Sequence, residues 1–320
     1  MSFKHSLLFT DGPKLLNEPI AFIDIGARDR LVEPFWSLKK KHPDLLKVIA
    51  FEPESAEHEL LVNSDNGTFY LNKAVSHSEG VQKLYVTQSP GRSSMYIPNT
   101  VLLKQFSKKH SQGLEVVKEQ LVDCVTLDSA LRTIDGLGGS FLKSDTQGSE
   151  FDVCSGGVDF FTNKCVGLTM ECWNIPVYEG IRTVDEVISK LRTFGFIVFN
   201  LQVGASWHRR SSTNSLERLP QIVGLDILAF KEADVFFDGL PTVEETMRFV
   251  VLADLWGFPD YALQLTNHRK SPFEPAIAES ISNRILSNRK SRIFEHRPFV
   301  FHRDLLFDKL KLPKRFPLIH

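Results

Sequence analysis

Ala21-Phe22-Ile23-Asp24-Ile25-Gly26-Ala27-Arg28, followed after a helix-length stretch by Lys47-Val48-Ile49-Ala50-Phe51-Glu52-Pro53, decides the fold of this chain. The first run reads as a buried strand over 21–25 with an acidic-glycine turn, Asp24 and Gly26, at its end. A helix follows, then a second strand over 47–51 that ends in Glu52. That order sets two carboxylates at the carboxyl ends of adjacent parallel strands, where open α/β sheets bind their ligands. A carboxylate closing the second strand can accept hydrogen bonds from both hydroxyls of a ribose, so the pattern points to an adenosine-containing cofactor.

Working outward, strand and helix patterns alternate from residue 20 to about 232. Further strands are expected over 69–75, 141–144, 166–170, 196–203 and 224–230. Several are continuous apolar runs, as strands covered on both faces must be. The clearest helix starts at Thr183, with Glu186 completing a capping box, Val184, Val187, Ile188 and Leu191 on one face, and Gly195 at its end. The polar connector 204–221 holds no convincing helix, so the last two strands should pair antiparallel. An extra strand pair is expected near 82–87, before the turn Ser89-Pro90-Gly91. The implied architecture is an α/β, doubly wound sheet. After Pro241 the pattern turns helical: Thr242 and Glu245 form a second capping box, and Ile277, Ile281 and Ile285 recur at helical spacing. Three segments result: an N-terminal piece (1–19), a sheet domain (20–240) and a helical, basic extension (241–320).

Composition excludes more than it identifies. Hydrophobic content of 42% and charged content of 24% are those of an ordinary globular chain. Residues 267–320 carry 12 Lys and Arg against 5 Asp and Glu, a net of +7 in a chain whose total is −1. A solvated helical tail explains this better than nucleic acid or anionic lipid does. Cys124, Cys154, Cys165 and Cys172 form no C-x-x-C pair, and no histidine cluster has zinc spacing. No metal site and no disulfide framework is expected, and a reduced, cytoplasmic setting follows. No apolar run reaches transmembrane length.

The turn Gly26-Ala27-Arg28-Asp29-Arg30 keeps only the first glycine of a dinucleotide fingerprint. A ligand without phosphate does not need the others, and S-adenosyl-L-methionine is such a ligand. Asp24-Ile25-Gly26-Ala27-Arg28, Phe51-Glu52-Pro53, Lys73-Ala74-Val75-Ser76, Ser93-Ser94, Thr126-Leu127-Asp128 and Phe141-Leu142-Lys143-Ser144-Asp145-Thr146-Gln147-Gly148-Ser149-Glu150 occur in this order. Glu171, Tyr178-Glu179-Gly180, Asp226-Ile227-Leu228 and Leu255-Trp256-Gly257-Phe258-Pro259 continue it. In this series the chain resembles the FkbM family of S-adenosylmethionine-dependent methyltransferases, over about residues 20–265. The resemblance implies a Rossmann-like, seven-stranded methyltransferase sheet with its last strand antiparallel. It also implies that Asp24, Gly26 and Ala27 line the methionine end of the cofactor, with Arg28 or Arg30 free to meet its carboxylate. Glu52 would hold the ribose, Ala74 and Ser76 would lie near the adenine, and Ser93, Ser94 and Asp145 would border the reaction centre.

Attack by an alcohol needs a base. Asp145, ending a strand beside the expected sulfonium, is the first candidate; Glu171 and His208 are the others. Glu150 reads as a carboxylate stabilising a helix N-terminus, and Lys143 as the partner of a neighbouring carboxylate. The expected acceptor is a small molecule or glycan precursor, methylated on oxygen. The exposed sides of the helical extension leave room for a homo-oligomer. Two other classes stay open: a methyltransferase fold that kept binding and lost turnover, and a nicotinamide-dependent oxidoreductase, which the missing glycines disfavour. Asp29 and Arg30 stand where the family usually carries glycine. Arg30→Gly is expected to leave cofactor affinity within about threefold, under ~1 kcal/mol, by calorimetry. A gain of about tenfold or more would mean that the site is degraded.

Overall fold

The computed structural model describes residues 3–28, 31–65, 67–210 and 219–295. Asp29 and Arg30 lie outside the described residues, as does most of the segment 287–320. Ten strands are described: β1 (Ile20–Ile25), β2 (Leu46–Phe51), β3 (Thr68–Leu71), β4 (Ala74–Val75), β5 (Gly80–Thr87), β6 (Val116–Val125), β7 (Ser140–Ser144), β8 (Cys165–Trp173), β9 (Phe196–Trp207) and β10 (Gln221–Lys231). Seven form the main sheet, in the order β3-β2-β1-β7-β8-β10-β9, and three a small second sheet, β4-β6-β5. In the main sheet every pairing is parallel except those of β10, which runs antiparallel to both β8 and β9. This is the Rossmann-like, seven-stranded sheet with its last strand reversed.

One expectation needs correction. The strand expected over 69–75 is two strands in two sheets. Asn72 lies between them, and its amide donates to the carbonyls of Glu52 (2.9 Å) and Pro53 (3.2 Å), which turns the chain out of the main sheet. The extra strand pair expected near 82–87 is present: β5 pairs antiparallel with β6, which lies some thirty residues further along. The apolar residues of β6 come in pairs broken by Lys118-Glu119-Gln120 and by Asp123, so no continuous apolar run marks it.

Alternation along the strands divides the core. Phe22, Phe141, Leu228 and Phe230 face one side, with the helix Phe35–Lys41, the N-terminal turn Leu7–Thr10 and the C-terminal helices. Ile23, Leu142, Leu168 and Ile227 face the other, under the helices Leu127–Leu131, Glu150–Gly156 and Val184–Thr193. Each phenylalanine so buried contributes about 1.5–3 kcal/mol. The helix Val243–Leu255 begins at the Thr242–Glu245 capping box and is buried from Thr246 to Leu255. The Leu7 N–H donates to Asp254 on that helix (2.7 Å), which ties the N-terminal segment to the C-terminal one. Of the isoleucine series in the helix Pro275–Glu295, Ile281 and Ile285 are buried and Ile277 is exposed. Among the described residues no helix is long and apolar enough to cross a membrane.

The register of β1 against β7 sets Asp24 beside Lys143. Both are largely buried, and Lys143 Nζ lies 3.0 Å from Asp24 Oδ1. Removing one partner of such a pair strands a charge. Lys143→Met is therefore expected to cost about 3–5 kcal/mol, read from the midpoint of urea unfolding. An unchanged midpoint would show that the pair does not hold the sheet.

Candidate functional site

The site is built where β1 and β7 part. Gly26 turns the chain with φ +72°, and a Cβ there would lie 2.0 Å from the Asp145 carbonyl oxygen, so only glycine fits. The Gly26 and Ala27 N–H groups donate to the Phe51 carbonyl (3.1 and 3.0 Å), and the Asp145 N–H donates to that of Ile25 (3.0 Å). Lys143 Nζ donates to the Gly26 carbonyl (2.8 Å) while pairing with Asp24. Burial alone would lower the Lys143 pKa, but Asp24 first and then Asp145 outweigh it and hold the ammonium above its ordinary value.

Three cavities adjoin this turn. The first, of about 270 Å³, is lined by Gly26, Arg28, Glu52, Ala74, Ser93 and Asp145, among others. Glu52 is only 4% exposed, and its Oε1 accepts the Glu54 N–H (2.8 Å). Burial pushes its pKa up to about 7, against the pull of that hydrogen bond and of Arg28. Arg28 is engaged by Glu54 (2.7 Å), Glu57 (3.3 Å) and the Pro90 carbonyl (3.0 Å). It clamps the end of β2 to the loop after β5. Lys73, which also lines this cavity, pairs with Asp123 (2.8 Å).

The second cavity, of about 460 Å³, shares Val32, Lys143 and Asp145 with the first. Glu171, Asn200, Gln202 and Asp226 line its floor, with Leu255 and Trp256 at its side. Glu171 and Asp226 are register neighbours on β8 and β10. Burial first, then Asp145 and Asp226, raise the Glu171 carboxyl well above the usual carboxylate range. Burial, then Asp145, also raises Asp226. The third cavity, of about 160 Å³, lies under β1 and β2 and is bordered by Asp24 and Ala27.

Of the residues singled out in the sequence, Gly26, Arg28, Glu52, Ala74, Ser93 and Asp145 therefore meet in one cavity, and Glu171 faces Asp145 across the next. Asp24 is committed to Lys143 and, with Ala27, borders the smallest cavity instead. Ser76 and Ser94 line none of the three. Ser76 accepts from Gln82 (3.3 Å), and Ser94 Oγ donates to the Gln147 carbonyl (2.8 Å). His208 is exposed and also outside all three, its N–H donating to His110 Nε2 (3.3 Å). Glu150 does more than sit at a helix N-terminus. Its carboxylate accepts from the Thr146 N–H (2.9 Å), the Thr146 hydroxyl (2.8 Å) and the Gly148 N–H (3.0 Å), so it shapes the loop after Asp145.

Sequence reasoning missed Gln147, Asp226 and Trp256. Gln147 has φ +56°, rare outside glycine, and its Nε2 donates to Asp145 Oδ1 (2.8 Å). The signal for Asp226 was a lone carboxylate inside an apolar strand. Among the described residues no group of three or more His, Cys, Asp and Glu could hold a metal ion.

Residues 24–198 match the family model described as "Methyltransferase FkbM domain". No curated relative and no solved structure matches the chain. The match takes in β1 to the start of β9, and so stops short of Asn200, Gln202, Asp226 and Trp256.

The raised Glu171 pKa fixes a sign. A carboxyl whose folded pKa exceeds its unfolded value contributes stability below the unfolded value, lost as pH rises through the folded one. Glu171→Gln should therefore gain on the wild type, in thermal unfolding temperature, as pH rises above about 4.3. A difference independent of pH would contradict the assignment.

Proposed function

Because the chain belongs to the FkbM methyltransferase family, we propose that it takes the methyl group of S-adenosyl-L-methionine and places it on a hydroxyl of a carbohydrate or glycan precursor. The observation that carries this reading is the position of Asp145 in the wall shared by two cavities. One suits the donor and the other the acceptor. The first cavity fits the donor because it pairs an apolar side with a buried carboxylate at the end of β2. Glu52 receives the ribose hydroxyls, Ala74 and its neighbours on β4 flank the adenine, and Gly26 lets the backbone come close to the amino-acid end. Bound there, the donor supplies a methyl group on a positively charged sulfur, which departs as a thioether.

The protein's own part is placement and one proton. Gln147 Nε2 holds Asp145 Oδ1, which orients the carboxylate for an acceptor hydroxyl in the second cavity. Asp145 takes that proton as the oxygen attacks, and positioning contributes the rest. Ser93 borders this centre, with Ser94 behind it fixing the Gln147 loop. The sheet unit (20–240) carries the chemistry, and the helical extension from 241 closes the acceptor side with Leu255 and Trp256. Four free, buried cysteines suit a reducing, cytoplasmic setting.

Asp145→Asn is expected to lower kcat by about a hundredfold or more, measured as labelled methyl transfer to a panel of glycans, with affinity for S-adenosylhomocysteine retained. Near-normal turnover would remove Asp145 as the base. Glu52→Ala should instead weaken S-adenosylhomocysteine binding by about 1–3 kcal/mol. Unchanged affinity would undo the donor site.

A further inference from the structure

The second cavity has a charge that the methyl-transfer chemistry does not require. Asp145, Glu171 and Asp226 line it together with Glu33, against one cation, Lys143. Lys143 is already held by Asp24 and the Gly26 carbonyl. An anion entering this space would meet four acidic side chains and no free positive group. Phosphorylated and carboxylated acceptors are thus repelled from it. Glu171 and Asp226 stand side by side on neighbouring strands, and Gln202 is the register partner of Asp226 on the other side. Carboxylates and amides therefore form one continuous strip on the sheet.

The opposite wall is of another kind. Trp256 stacks on Phe141 (ring centroids 5.3 Å apart, planes at 14°), and its indole Nε1 is buried with no hydrogen-bond partner. The indole edge, with Leu255, Ile227 and Leu228, offers an apolar flank to a ring. A cavity with an acidic strip on one side and an aromatic and apolar wall on another fits a ring that carries hydroxyl groups and a positive charge.

Accepting the reading of this cavity as the acceptor site, we propose that its ligand is an amino sugar or similar amino-polyol, bound with its protonated amine between Glu171 and Asp226 and its ring against Trp256 and Leu255. The raised carboxyl of Glu171 accords with this, since a cation relieves the repulsion that burial and Asp145 impose. Asn200, Gln202, Asp226 and Trp256 all lie beyond residue 198, outside the family match.

The test is calorimetry on the full chain saturated with S-adenosylhomocysteine. The probes are four methyl glucosides alike except at one position: a free 2-amine, its N-acetyl form, the plain 2-hydroxyl, and a 6-carboxylate. The free amine should bind at least about tenfold tighter than each of the others. Asp226→Asn should remove about tenfold of that affinity while leaving S-adenosylhomocysteine affinity unchanged and the thermal unfolding temperature no lower. Equal or tighter binding of the N-acetyl, hydroxyl or carboxylate form overturns the proposal. So does binding of none of them while S-adenosylhomocysteine binds. If S-adenosylhomocysteine fails to bind but the amine still binds in an Asp226-dependent way, the donor reading falls and the amine site stands.

Discussion

Lys143 puts an ammonium between the Asp24 carboxylate and the Gly26 carbonyl, at the point where the chain order of the sheet reverses. A buried charge tolerates no vacancy beside it, so strands β1 and β7 are held at one register and one separation. The rest of the site follows from that spacing. It brings the Asp145 carbonyl so close to Gly26 that no side chain fits there. It also fixes the end of β7, and with it the Asp145 carboxylate in the wall between the two larger cavities.

Around this strut the polar groups form a layered support. Glu150 holds the 146–148 loop through three hydrogen bonds. That loop carries Gln147 in a left-handed conformation, which Ser94 steadies through its carbonyl and which lets the amide reach Asp145. Strained backbone held by several independent contacts is a frequent property of functional sites. The second sheet, β4-β6-β5, has a similar supporting part. It sets Ala74 and the Ser93 loop against the open side of the first cavity.

Much of this was legible in the sequence because it lies at strand ends. Apolar runs closed by Asp24-Ile25-Gly26 and by Glu52 locate the sheet edge from their pattern, and the family resemblance adds Asp145 to it. What stayed hidden depends on partners distant in the chain. Lys143 reads in the sequence as the partner of a carboxylate, but only the register of β1 and β7 makes that partner Asp24. The strand expected over 69–75 looked continuous because Asn72 breaks it through carbonyls some twenty residues earlier. In β6 the apolar residues are interrupted by Lys118-Glu119-Gln120 and Asp123, and Asp226 meets Glu171 only through antiparallel pairing. His208 is a polar loop residue by sequence, and its engagement with His110 depends on two loops a hundred residues apart.

The account stands on the first cavity being a site for an adenosine-bearing methyl donor. The most direct test is isothermal titration of the full chain with S-adenosylhomocysteine, with NAD as the control. The account predicts saturable binding of S-adenosylhomocysteine in the micromolar range or tighter and none of NAD. Absence of heat with S-adenosylhomocysteine, or binding of NAD in its place, would contradict it.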